Sequence, residues 1–187
     1  INLIQAIQKL RGSKVVTYVT SDRANMTAQV SGDAIRPLYS HLLELKGSVK
    51  KIDLFLYSRG GDVGTPWPLV SMLREFGEEV NVLIPFRAHS AATKIAIGCD
   101  NIIMGRKAEL SPIDPSLVSA ESTGLVSQIN VEDTFAYKEF IQEHAKLTEQ
   151  NAVAQLLAIL AQNIQPLTLG KLTRLYSHIR LVAKKLL

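Results

Sequence analysis

Two short turns in this sequence bring together residue types able to break an acyl bond. The first is Ser58-Arg59-Gly60-Gly61-Asp62, and the second is His89-Ser90-Ala91-Ala92-Thr93. A Gly-Gly turn can leave backbone N–H groups unpaired in a cleft where no side chain blocks approach. Such groups suit the oxyanion that develops when a carbonyl is attacked. Ser90 opens a run of small residues, so its hydroxyl would stand at the electropositive start of a helix, a favourable place for a nucleophile. Taken singly, Gly-Gly is ordinary turn chemistry and serine an ordinary N-cap. Their order, each following a strand and preceding a helix, gives the pair its meaning.

The elements that must hold these turns follow from periodicity. Residues 1–11 carry Ile1, Ile4, Ile7 and Leu10 at spacings of three and read as an amphipathic helix. Residues 14–20 (KVVTYVT) are β-branched and read as a strand. A helix is expected from about Ser31 to Leu45, with Ser31 or Asp33 as its cap. The strand at 52–57 (IDLFLY) runs directly into the Gly-Gly turn. Thr65-Pro66 reads as a cap and first helical residue, and Gly77 ends that helix. Residues 80–84 and 101–104 are further short strands, and between them the small-residue segment 89–93 opens a helix that runs to about Gly98. Residues 116–130 are rich in Ser and Gly and read as a loop with a short strand or flap. Helices are expected at about 131–146, 148–163 and 168–186, the last two separated by Pro166. Repeated strand-then-helix units imply parallel strands joined by right-handed crossovers.

At 187 residues the chain suits one domain, 1–187, whose part from about 131 onward is helical. Its formal charge of +4 is modest, and much of the excess lies in the last helix (Lys171, Arg174, Arg180, Lys184, Lys185). That pattern reads as a solvated face, so no nucleic-acid partner is expected. The single cysteine, Cys99, precludes an intramolecular disulfide and lies in an apolar run, which reads as a buried structural thiol. No apolar stretch reaches the ~18–20 residues of a spanning helix. A cytoplasmic protein is expected, with membrane association only through segments outside this chain. Neither a metal site nor a cofactor is expected.

The run from Ile52 to Leu117 resembles the ClpP/crotonase superfamily, and most closely the serine dehydrogenase proteinase family, relatives of signal peptide peptidase A and of the stomatin-operon proteases. Ser58-Arg59-Gly60-Gly61 stands where those proteins carry Pro-Gly-Gly, and Ser90-Ala91-Ala92-Thr93 where they carry a Ser-Ala/Gly-Gly-Thr motif. Asp100-Asn101-Ile102-Ile103-Met104-Gly105 and Leu110-Ser111-Pro112-Ile113-Asp114-Pro115-Ser116 are similar to the blocks that follow. The closing residues, from Pro166-Leu167 and Leu169-Gly170 to Ile179-Arg180, are similar as well. The resemblance implies an α/β fold of the ClpP/crotonase type, a ββα superhelix with C-terminal helices. It also implies hydrolysis of peptide bonds by Ser90, with the N–H groups of Gly61 and Ala91 as oxyanion donors. Three residues depart from the pattern: Arg59 replaces proline, Ala92 replaces glycine, and Lys94 replaces an apolar residue.

A serine hydroxyl needs a base. Clp proteases supply a histidine just beyond the strand after the serine helix, but here that stretch reads Glu109-Leu110-Ser111-Pro112. His89 adjoins Ser90 and diverges from it, and His41, His144 and His178 fall on expected helices, so a Ser-His-Asp triad is disfavoured. Relatives with a Ser-Lys dyad place the lysine on a later helix, which points to Lys138. At ~100° per residue Lys138 falls between Ile141 and Val131 on the helical wheel, away from Glu132, Glu139 and Glu143. Burial on such a face would lower its pKa toward a neutral amine. Lys94, one turn after Ser90, is the alternative base. The functional expectation is a Ser-Lys peptidase acting on peptide or protein substrates. Two other readings stay open: an inactive ClpP-like binding or assembly module, and crotonase-like acyl-CoA chemistry. A homo-oligomer is expected, with the apolar stretches 153–159 and 181–187 as candidate interfaces.

Overall fold

The computed structural model of the protein describes residues 2–21, 28–113, 116–120, 126–144, 146 and 149–187. The chain divides into two compact units, Ile1–Ile113 with Val182–Leu187, and Asp114–Leu181.

The first unit is built on four parallel strands in the order β1-β2-β3-β5: β1 (Lys14–Val19), β2 (Val49–Tyr57), β3 (Gly77–Ile84) and β5 (Asn101–Met104). Three helices connect them: α2 (Ile35–Leu43) between β1 and β2, α3 (Pro66–Phe76) between β2 and β3, and α4 (Ala91–Ile97) between β3 and β5. A further helix, α1 (Asn2–Arg11), precedes β1. Alternation along each strand sends Ile52, Leu54 and Leu56 of β2, and Val80, Val82 and Ile84 of β3, into one core. Leu38 and Leu42 of α2, Leu69, Val70 and Leu73 of α3, and Ala91, Ala92, Ile95 and Ala96 of α4 complete it. Val182 and Leu186 belong to the same core. Each leucine or valine so buried contributes about 1.5–3 kcal/mol relative to exposure.

Beyond the carboxyl ends of the main strands the chain makes a second, smaller layer. β4 (Arg87–Ala88) pairs in parallel with β6 (Glu109–Leu110), and Ser58 bridges to Ala88. Gly61 in turn bridges to Val30. The segments after β2, β3 and β5 thus each run on into this layer, which is the two-layer ββα arrangement that the sequence resemblance implies.

Some local expectations differ in detail. β2 begins at Val49 and β3 at Gly77, earlier than the apolar runs suggest, because polar residues continue the ladders: Val49 pairs with Gly77 and Lys51 with Glu79. Gly77 ends α3 in an extended conformation, φ −129°, and is at once the first residue of β3. Neither Ser31 nor Asp33 caps by side chain; a 3₁₀ turn at Gly32–Ala34 leads into α2 instead. Thr65 itself is helical and its carbonyl accepts Leu69 N–H of α3, but its side chain makes no cap bond and its hydroxyl donates to Asp62 instead.

In the second unit the stretch expected as loop or flap holds an antiparallel hairpin, β7 (Ser116–Ala120) with β8 (Val126–Asn130). Three helices follow: α5 (Val131–Glu139), α6 (Gln150–Asn163) and α7 (Pro166–Leu186), the last with proline at its first position. The helix expected to run to 146 gives way after Glu139 to a π turn, Phe140–His144. Phe135 meets Tyr176 edge-on, ring centroids 5.7 Å apart. A cavity of about 230 Å³ lies between these helices, lined by Phe135, Ile141, Val153, Leu157, Leu160 and Leu169 among others.

Candidate active site

The turn after β2 is held open by its neighbours. Val30 N–H donates to Gly60 O (2.8 Å) and Asp62 N–H to Val30 O (2.8 Å), while Gly60 N–H donates to the Ser58 hydroxyl (3.0 Å). This pattern skips Gly61, whose N–H has no acceptor among the described residues. Gly60 and Gly61 have φ of 105° and 151°, where side chains are strained. Space forbids a side chain too: a Cβ on Gly61 would lie 2.2 Å from Val30 O, and one on Gly60 would lie 2.7 Å from Ser90 Cβ. Both glycines are therefore required by close approach, and Gly60 packs directly on the serine.

Ser90 links β4 to α4 in a conformation few residues other than glycine adopt, φ 51° and ψ −117°. A serine forced into this sharp turn between strand and helix exposes its hydroxyl above the turn, a strain the surroundings must impose. They do so by hydrogen bonds. Ser90 N–H donates to Ser111 Oγ (2.8 Å), and Thr93 Oγ1 lies 2.6 Å from Ala88 O and 2.9 Å from Ser111 O. Ser111 N–H donates back to Thr93 Oγ1 at 3.2 Å. The Ser90 hydroxyl has no hydrogen-bond partner among the described residues. Ala91 N–H, at the first helical position, has none either. A hydroxyl and two unpaired amides thus share one region of the second layer.

Residues 2–139, well over half of the chain, match the family of ClpP-like SDH-type serine proteinases. The chain belongs to this family. It is also 34% identical over 80 residues to one uncharacterized protein of Methanocaldococcus jannaschii, an alignment covering 43% of this chain and 28% of that protein. A second uncharacterized protein of the same organism is 26% identical over 124 residues, covering 61% and 41%. The chain therefore spans less than half the length of the curated relatives it matches. The crystal structure of the ClpP protease catalytic domain from Plasmodium falciparum aligns over 55% of this chain and 58% of its own at 13% identity, with a TM-score of 0.40.

Within this member of the family the candidate bases differ sharply in setting. Lys94, on α4, is fully buried (0% exposed), and its Nζ donates to Val63 O at 2.9 Å. Burial pushes its pKa down, and the charge of Asp62 partly opposes that. Asp62 is held below the usual carboxylate range, chiefly by the hydrogen bond from Thr65 Oγ1 (2.7 Å) and also by Gly64 N–H (3.1 Å). Lys138 lies on α5 in the second unit. Its side chain, like Asp114, falls outside the described residues.

His89 turns away from the serine: Nε2 lies 3.1 Å from Glu109 Oε1, the atom that also accepts Arg87 Nε at 2.6 Å. The bond from Arg87 holds the Glu109 carboxyl below its usual range. His41 and His178 are exposed, as surface residues of their helices. Cys99 is buried and its thiol pushed up to about 12 by burial, the state of an inert structural cysteine.

Sequence reasoning missed Ser111 and Thr93. Ser111 occupies the stretch where a Clp protease would place histidine, and its hydroxyl fixes the backbone of Ser90. The one available signal was a hydroxyl residue in a Ser-Pro pair just after the short strand β6.

Proposed function

We propose that this chain is a serine peptidase in which Ser90 forms an acyl-enzyme and a lysine, Lys138, is the general base. The single observation that carries the reading is the strained Ser90 turn, whose unengaged hydroxyl accompanies the unpaired N–H groups of Gly61 and Ala91. Polar groups left without partners cost stability, so they persist where a ligand supplies the partner. A tetrahedral acyl intermediate is such a ligand.

In this mechanism Ser90 Oγ attacks the scissile carbonyl carbon as its proton passes to the neutral amine of the base. The carbonyl oxygen becomes an oxyanion and accepts hydrogen bonds from Gly61 and Ala91. The C–N bond then breaks, the ammonium returns the proton to the leaving amine, and an ester to Ser90 remains. Water, deprotonated by the same amine, attacks the ester carbonyl; the bond from that carbon to Ser90 Oγ breaks, the ammonium returns the proton to Oγ, and the carboxyl product leaves. Each oxyanion donor of this kind is worth about 10²–10³ in rate.

The test is reaction with a fluorophosphonate probe. Wild-type protein should be labelled on Ser90, and Ser90→Ala should not be labelled while keeping its circular dichroism. A folded wild type that takes no label would sink the peptidase reading in favour of an inactive binding module. Lys138→Ala should abolish turnover without loss of fold; unchanged turnover would move the base elsewhere.

A further inference from the structure

Lys94 is a charged residue among the apolar positions of α4, and its surroundings give it a task. It is the largest fully buried side chain in the described structure. A lysine buried to this extent is uncommon, because its ammonium loses water and must find protein partners. Among the described residues Nζ has one hydrogen-bond acceptor, Val63 O at 2.9 Å, and no carboxylate pairs with it directly. Asp62 acts on it through charge alone. An apolar residue would fill the same space in α4, so what the amine adds is this one bond.

That bond joins two particular pieces of chain. Val63 lies two residues beyond Gly61, inside the turn that carries the candidate oxyanion amide. Lys94 lies one helical turn beyond Ser90, and Lys94 N–H donates to Ser90 O at 3.2 Å. The turn has other anchors: Val30 bonds Gly60 and Asp62, the Ser58 hydroxyl bonds Gly60, and Asp62 bonds Gly64 and Thr65. At its near end Ser58 N–H donates to Arg87 O and Ser58 O accepts His89 N–H, both at 3.0 Å, and Thr20 Oγ1 donates to the Ser58 hydroxyl. The Lys94 side chain adds a tie from the far side of the Gly-Gly turn, beyond Gly61, to the helix that starts at the serine, where the backbone bonds of Ser58 hold only the near side.

We propose that Lys94 is a positioning residue that locks the Gly60–Gly61 turn in register with Ser90, so that the Gly61 N–H meets the oxyanion. Its catalytic consequence rests on the peptidase reading above; the structural lock does not. Oxyanion stabilisation depends on distances held to a few tenths of an ångström, and a shift of about 1 Å costs on the order of 10²-fold in rate. Loss of the tie should therefore act on the transition state and leave ground-state binding nearly untouched.

The experiment compares wild type with Lys94→Met, which keeps length and removes the donor, and with Lys94→Gln, which keeps a shorter donor. Hydrogen–deuterium exchange at the Val30 and Asp62 amides reads the turn directly, since both bond across it. In Lys94→Met these amides should exchange about tenfold faster or more, with β3 unchanged. Against a peptide substrate kcat should fall about 10–100-fold with KM within about twofold, and the pH profile should keep its shape. Lys94→Gln should lie between the two, and it carries the test if Lys94→Met does not fold. Unchanged exchange and unchanged kcat would overturn the proposal. Turnover abolished with unchanged exchange would also overturn it, making Lys94 the base. A wild type that takes no fluorophosphonate label, with exchange still faster in Lys94→Met, would sink the peptidase reading and leave the lock standing.

Discussion

The first unit buries charge in two places, and it treats them differently. On the sheet face opposite α3 and α4, Asp53 is fully buried, yet every contact it makes is answered. Arg11, at the end of α1, donates to it through Nε and Nη2, Ser13 Oγ lies 2.7 Å away, and Asn81 Nδ2 lies 3.1 Å away. Asn101 Nδ2 then donates to Asn81 Oδ1 at 2.7 Å. Around Ser90 the opposite holds. Among the described residues the buried Lys94 has a single acceptor and the Gly61 and Ala91 amides have none, while Ser90 sits at a φ of 51°. A saturated network fixes elements against one another, whereas an unsaturated one leaves donors for something that arrives later. Both regions are polar and buried, so burial alone would not have told them apart. The count of unanswered groups does.

Substitutions can test that contrast. Gly61→Ala should have the largest effect, because the new Cβ would lie 2.2 Å from Val30 O and 2.6 Å from Val30 N at a φ of 151°. Fluorophosphonate labelling per folded molecule should fall about 10²–10³-fold, and the thermal midpoint should drop. Labelling at the wild-type rate would remove Gly61 from the site. Arg11→Ala should cost stability instead, about 1–3 kcal/mol in urea unfolding, because it removes the charged partner of a buried carboxylate that keeps its bonds from Ser13 and Asn81. Labelling of the folded fraction should stay at the wild-type rate, and a fall would mean the two regions are coupled.

The third test uses acid. Burial pushes the Asp53 pKa up, but the hydrogen bonds from Arg11, Ser13 and Asn81 together outweigh it and hold the group below its usual value. Its contribution to stability is therefore fully present above the unfolded carboxylate pKa of about 3.9 and is lost as pH falls through the lower folded value. Asp53→Asn should flatten that acid limb of the stability curve; an unaltered limb would place the titrating group elsewhere. Thr93→Val should have the smallest effect, about 1 kcal/mol of stability from its lost hydrogen bonds. The Ser90 labelling rate should fall by less than in Gly61→Ala, which a direct comparison of the two variants will show.

Much of this could be read along the chain. The β-branched runs, the glycines at 60–61, Ser90 among small residues, and the alternation of strand and helix are local signals, each decided by neighbours within a few residues. They specify a parallel α/β sheet and two adjacent turns, and the motif blocks place the chain in its family. The bonds that distinguish the two polar regions are different in kind. Arg11 and Asp53 lie 42 residues apart, Lys94 and Val63 31, and Ser90 and Ser111 21. Arg11 reads as the charged end of an amphipathic helix, Asp53 as a flaw in an apolar strand, and Lys94 as a misfit in an apolar helix. Which of them pair, and which amides stay unpaired, depends on how crossovers stack distant segments, and no local periodicity encodes that. The sequence by itself determined the nucleophile candidate and the scaffold beneath it. That the Gly61 and Ala91 N–H groups find no acceptor among the described residues, and that Lys94 turns inward onto the Gly-Gly turn, came from the fold, because hydrogen-bond satisfaction is settled by the packing of segments far apart in the chain.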